Sequence, residues 1–343
     1  ETQLQEAVVD VMSASMNIVQ LRKELRLVLP PRAYAPARVK LLYIAALLAL
    51  LLALYRVAGE VSYLPFTLLA ACVIAHTHLT LGILGHELGH RTIVRSRQLA
   101  YWVSVVLWAA DAMHATVWDV SHNVVHHRHT NAVKDSFRYF VENERNPWRT
   151  AVALFLFPNR HLKYSPTPLL LPMVYNASYF AGGLLLRAER ALPYMTNIGF
   201  YSRRAKLQLI METFVMGGWQ LMIFLLVGGN LLNYLLLGPV ALLLASVMTS
   251  LYIFTQHGLH PVAVDGQPLA ATSLRLPRWI DALHFNNSYH IEHHLLPNVN
   301  SRYYPLVSDY LATKVPGYQR LGLFEVWRRM MCNPLYKKNA VIP

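Results

Sequence analysis

Eight histidines lie in three short clusters: His86-Glu-Leu-Gly-His90, His122-Asn-Val-Val-His126-His127 and His290-Ile-Glu-His293-His294. Residues three or four apart on a helix share a face. His86 with His90, His122 with His126, and His290 with both His293 and His294 are therefore each expected to aim imidazoles at one point. Neutral imidazole binds iron, zinc, copper and nickel alike. Eight donors exceed what one tetrahedral zinc takes and suit two ions of higher coordination. A ninth donor is expected from His257 or His260 in Thr255-Gln-His-Gly-Leu-His260-Pro, with His257 preferred.

Polar groups beside metal ligands commonly hold the imidazoles in one tautomer. The candidates are Glu87, Asp119, Asn286, Asn287 and Glu292, and Asn286 stands out because it precedes His290 by one helical turn. Beyond the metal centre, no separate protein acid or base is assigned. The isolated histidines, His76, His78, His114, His129, His161 and His284, read as packed or solvated polar residues. His86-Glu87-Leu88-Gly89-His90 also fits H-E-x-x-H, in which Glu87 would be the base of an intramembrane zinc protease. That reading leaves the other two clusters without work.

Lipid must surround the elements that position these residues. Of 343 residues, 55% are hydrophobic and 14% charged, against about 25% charged in soluble domains, and the mean hydropathy is +0.30. A bilayer span needs about 20 mainly apolar residues. Spans are expected over Leu41–Tyr55, Tyr63–Leu84, Leu207–Leu226 and Leu231–Phe254, paired into two hairpins by the short connections Arg56-Val-Ala-Gly-Glu-Val61 and Val227-Gly-Gly-Asn230. Ala100–Ala115 reads as a buried or interfacial helix, and the Pro172- and Gly182-interrupted run Leu169–Leu186 as an interfacial or partly re-entrant segment.

The net charge is +13, and apart from Arg56 the basic residues fall before, between and after the hairpins rather than in their loops. By the positive-inside rule, that side, with all three clusters and both termini, is cytoplasmic. One domain over 1–343 is expected: a cytoplasmic N-terminal segment 1–40, hairpin 41–84, cytoplasmic residues 85–206, hairpin 207–256 and cytoplasmic residues 257–343. Two cysteines, Cys72 and Cys332, are too few for a disulfide framework or a thiolate metal site. Residues Glu1–Gln20 lack the pattern of a signal peptide. Nothing implies a nucleic-acid partner.

The order H-x3-H, H-x3-H-H, H-x2-H-H resembles the membrane fatty acid desaturase and hydroxylase superfamily. The likeness runs from about His86 to Pro297, through Gly85-His86-Glu87-Leu88-Gly89-His90, His122-Asn123 ahead of His126-His127-Arg128-His129-Thr130-Asn131, and Asn286 to Pro297. The third cluster opens on His290, where front-end desaturases often carry Gln. No His-Pro-Gly-Gly motif is present, so no fused cytochrome b5 domain is expected.

The resemblance implies an all-α membrane fold of four spans with a helical cytoplasmic cap around a di-iron site. It implies O2 as co-substrate and an external acidic electron donor such as ferredoxin or cytochrome b5. The substrate is a fatty acyl chain, free in lipid or borne on coenzyme A or acyl carrier protein. Desaturation, acetylenase action included, is the leading reading. A hydroxylase or alkane monooxygenase is the alternative, since Gly-His-Glu-Leu-Gly-His is similar to membrane alkane hydroxylases. Trp102, Trp108, Trp118 and Trp219 are expected to line an acyl tunnel or to mark the membrane interface.

Overall fold

A computed structural model describes residues 18–61, 63–132, 135, 203–260 and 269–332. The expected Leu169–Leu186 segment and His161 lie outside the described residues. In chain order the main helices are α1 (Ile18–Val28), α2 (Lys40–Glu60), α3 (Leu64–Gly89), α4 (Arg97–Ala110), α5 (Ala115–Asp119), α6 (Arg203–Leu226), α7 (Ala241–His257), α8 (His290–Leu295), α9 (Tyr304–Lys314) and α10 (Leu323–Cys332). Strands β1 (Leu274–Arg275) and β2 (Leu321–Gly322) form one short parallel pair.

Among the described residues, four helices are long and apolar enough to cross a membrane: Lys40–Glu60, Leu64–Gly89, Arg204–Leu226 and Leu231–His257. Each outruns the apolar stretch that announces it. Arg56–Glu60, expected as loop, is the last turn of α2, and α3 continues past Leu84 through the first histidine cluster. Hydropathy falls where polar side chains begin, whereas a helix ends where its backbone bonding stops. For α3 that point is Arg91, with a left-handed φ of 58°. The fourth span widens into a π-helix at Leu236–Val240 around Pro239. Proline has no N–H to give to the preceding turn, and the wider turn accommodates it. Gly228 and Gly229 (φ +76° and +69°) turn the chain between α6 and this span, and Asn230 caps the new helix by accepting the Asn233 N–H at 3.0 Å.

The chain divides into two compact units, one of Glu1–Pro36, Val124–Ser165 and Tyr252–Pro343, the other of Ala37–Asn123 and Pro166–Leu251. In the second unit, α3 packs against α2 and α4, and α6 packs against α4. Backbones approach closely at Gly59, where a Cβ would lie 2.5 Å from Val227 Cα. A buried ion pair joins the start of α2 to the end of α3: Lys40 Nζ lies 2.6 and 2.5 Å from the two Glu87 carboxylate oxygens. Glu212 of α6 accepts the Thr116 hydroxyl at 2.6 Å and the Tyr101 phenol at 2.8 Å, tying α6 to α4 and α5.

In the first unit, Leu21 and Leu25, one turn apart on α1, pack with Ile291, Leu295, Val307 and Leu311 from α8 and α9. All six residues of α8 are buried. Arg22 Nε donates to Leu295 O at 2.9 Å, satisfying a carbonyl that the short helix leaves open. The Ser273 hydroxyl accepts the Ile291 N–H at 2.9 Å and donates to Glu292 at 2.5 Å.

Candidate metal centre

In the second unit, His86 in the last turn of α3 and His90, which caps that helix, lie together, their ring centroids 4.8 Å apart. His122 joins them: its Nε2 lies 3.0 Å from His86 Nε2, and its ring centre 5.2 Å from that of His90. Trp118 stacks on His122 at 4.6 Å and 18°. Two glycines make room for this arrangement. A Cβ on Gly85 would meet Trp108 at 3.0 Å, and one on Gly89 would meet Trp118 at 2.3 Å. Glu87, one residue on from His86, faces Lys40 and the Thr92 hydroxyl instead. To act as a protease base it would first have to abandon that pairing.

In the first unit, His126, His257, His290 and His294 converge. Their candidate ligand atoms all lie within 4.8 Å of one another, and all four residues are buried. Nε2–Nε2 separations are 2.7 Å for His290–His257, 3.2 Å for His294–His290 and 3.2 Å for His126–His294. His127 and His293 form a further pair at 3.2 Å.

Helical spacing alone therefore misassigns two residues. His293 does not join His290 and His294 but turns to His127, because neighbours on a helix point about 100° apart. His122 and His126 also part, His122 meeting His86 and His126 meeting His294. Between them the chain is a π-helix, Val120–His126, whose wider turn spreads side chains differently from an α-helix. Each His-His dipeptide is thus split: His126 pairs with His294, and His127 with His293.

The donor set suits a cation. The Asp135 carboxylate accepts from His126 Nδ1 at 2.8 Å. The Thr130 hydroxyl donates to His126 O at 3.0 Å, so its lone pair is left for His294 Nδ1 at 3.3 Å. With Nδ1 protonated, Nε2 of each ring presents a lone pair to its neighbours, and converging lone pairs repel unless a cation lies among them. Nitrogens about 2.1 Å from a shared ion, the imidazole–zinc distance, sit about 3 Å from adjacent ligands, as here. Burial, and then the neighbouring histidines, hold the His294 pKa well below the usual imidazole range, which favours the neutral, ligating form.

Asp135, Thr130 and Tyr304, whose hydroxyl lies 3.2 Å from His293 Nδ1, are the groups that orient imidazoles, and sequence reasoning missed all three. Asp135 is nine residues from His126, reached across a turn at Asn131 (φ 56°), so no helical spacing points to it. The residues expected in that role are engaged elsewhere. Asn286 donates to Ser301 O at 3.0 Å. Asp119 accepts from Asn123 at 2.7 Å. Asn287 enters the structure's contacts through its backbone, its carbonyl accepting from Gln256 Nε2 at 2.8 Å. Glu292 bonds Ser273 and Tyr318, and burial raises its pKa. His260 lies 3.1 Å from the Thr272 hydroxyl, its pKa lowered by burial to about 4. His78 lies between Tyr55 and Asp111, His114 against Thr213 and His284 against Tyr252.

Together these observations define a helical membrane protein whose grouped imidazoles can hold metal ions. The model of the fatty acid desaturase family matches residues 62–326, and the chain belongs to that family, one of oxidoreductases acting on fatty acyl chains. A search of curated proteins gives no match.

Proposed function

We propose that the protein is an O2-dependent desaturase of fatty acyl chains, acetylenase action included, that works through two iron ions. The convergence of His126, His257, His290 and His294 carries the reading, and these four would hold one ion. A second ion would be held by histidines outside this group. Bound iron would supply what no side chain can, the reduction of O2 coupled to removal of hydrogen from unactivated methylenes.

The overall change is balanced when a –CH2–CH2– unit, O2, two electrons and two protons give –CH=CH– and two waters. The protein's part is orientation and exclusion of water. Asp135 and Thr130 fix two imidazoles by their Nδ1 atoms, Tyr304 sits against the Nδ1 of a third, and burial keeps bulk water from the lone pairs. The electrons come from an external acidic donor such as ferredoxin or cytochrome b5, attracted by the basic segments on the cytoplasmic side.

The test is a mass profile of total acyl chains from cells expressing the protein beside cells expressing His127→Ala. Products two hydrogens lighter, absent with the variant, are expected. Products one oxygen heavier would make the protein a hydroxylase. His257→Ala should abolish turnover and His260→Ala should leave it measurable. The reverse pattern would exchange the two in the ligand set.

A further inference from the structure

We propose that Trp118, Trp108 and Tyr101 form a redox relay that carries an oxidising equivalent away from the metal centre. The inference rests on the proposed O2 chemistry at the histidines and concerns what happens when no methylene is in place to be oxidised.

Three aromatic rings lie nearly parallel in sequence. His122 and Trp118 stack at 4.6 Å and 18°, and Trp118 and Trp108 stack at 5.0 Å and 22°. Both indoles are 6% exposed. Tyr101 packs against the same cluster of Val105, Trp108, Ala115 and Trp118. Its ring centre lies 5.3 Å from that of Trp102, which is 47% exposed and so reaches the surface. The path thus begins on a candidate ligand and ends at an accessible indole, all within one unit.

Proton placement gives the path a direction. An oxidised indole ordinarily sheds its N–H proton to an acceptor and becomes a weaker oxidant. Trp108 Nε1 is buried with no hydrogen-bond partner among the described residues, so an oxidised Trp108 keeps its proton and passes the deficit on. Tyr101 has the acceptor that Trp108 lacks. Its hydroxyl donates to Glu212 Oε1 at 2.8 Å, and the Glu212 oxygens also accept the Thr116 N–H and hydroxyl, the pattern of a carboxylate.

The step balances. The oxidant is the O2-derived equivalent at the metal centre. One electron leaves Tyr101 for Trp108, Trp108 for Trp118, and Trp118 for the centre. The Tyr101 O–H bond breaks as an O–H bond forms on Glu212. A surface reductant of the thiol or ascorbate class returns the electron by way of Trp102, and Glu212 returns the proton.

If the indoles served packing alone, Phe in place of Trp108 would change little. The experiment uses the full chain, iron-loaded in detergent, with chemical reductant and O2 but no acyl substrate. It reads freeze-quench electron paramagnetic resonance and peptide masses. The wild type should show a tyrosyl radical that narrows with ring-deuterated tyrosine, and oxygen adducts at Tyr101 and Trp102. Tyr101→Phe should abolish the radical. Trp108→Phe, checked as folded by its unchanged melting temperature, should also abolish it. That variant should move the adducts to the Trp118 and His122 peptide and inactivate several-fold faster.

An unchanged radical and adduct pattern in Trp108→Phe overturns the relay. So does O2 consumption by the wild type without any radical. If acyl chains are still desaturated in a parallel assay, the relay alone has failed. No O2 consumption at all removes the oxidant and sinks both readings.

Discussion

The Asp135 carboxylate bridges a candidate ligand and the backbone: one oxygen lies 2.8 Å from His126 Nδ1 and the other accepts the Asn131 N–H at 2.7 Å. One carboxylate thus sets both the tautomer of the imidazole and the turn after it. Losing such a partner typically costs about 10–100-fold in metal affinity. Asp135→Asn is therefore expected to lower iron retention by about that factor, measured as iron per protein after dialysis against a chelator series. Retention at the wild-type level would reduce Asp135 to a turn former.

Gly89 and Gly217 offer a matched comparison. A Cβ at Gly89 would lie 2.3 Å from Trp118, whereas one at Gly217 meets nothing within 4 Å among the described residues. Overpacking a tight site typically costs about 1–3 kcal/mol, so Gly89→Ala should lower the melting temperature in detergent and Gly217→Ala should not. Equal melting temperatures would mean that Trp118 yields freely.

Lys40 and Glu87 form a buried ion pair, each side chain 8% exposed. Removing one partner of such a pair costs about 3–5 kcal/mol, while replacing both by apolar groups can be neutral. Lys40→Met and Glu87→Met should each destabilise strongly, and the double variant should recover most of the loss. Simple addition of the two effects in a denaturation cycle would argue against direct coupling.

Burial lowers the His114 pKa from its ordinary value of 6.5 to about 4. Above pH 6.5 both folded and unfolded forms are neutral there. As pH falls from 6.5 toward 4 the unfolded chain takes a proton that the folded one refuses, so stability falls through that window. His114→Gln should flatten the melting temperature between pH 7 and pH 5. Parallel curves for the two proteins would show that His114 is accessible to protons when folded.

Much of the molecule is legible in the residues alone. Apolar runs locate the four long helices, because burying or exposing about 20 side chains to lipid leaves a strong compositional mark. The three histidine clusters likewise stand out by type and spacing. What spacing cannot give is direction. His293 and His294 differ only by one step along α8 and both rings lie close to His127, yet tertiary packing decides which Nε2 meets that of His127. The π-turn over Val120–His126 has no proline or glycine to announce it. Asp135, Thr130 and Tyr304 act across folds of the chain, so their pairing with ligands appears only once the backbone is placed.

The splitting of His126 from His127 and of His293 from His294 carries one more consequence. In each of these two dipeptides a peptide bond harnesses a donor for one group to a donor outside it. The first ion to bind would fix one ring of each dipeptide and thereby limit the positions of the rings that await the next. Loading should then be cooperative: a limited iron titration would yield protein holding two ions alongside protein holding none, with little of the singly loaded form.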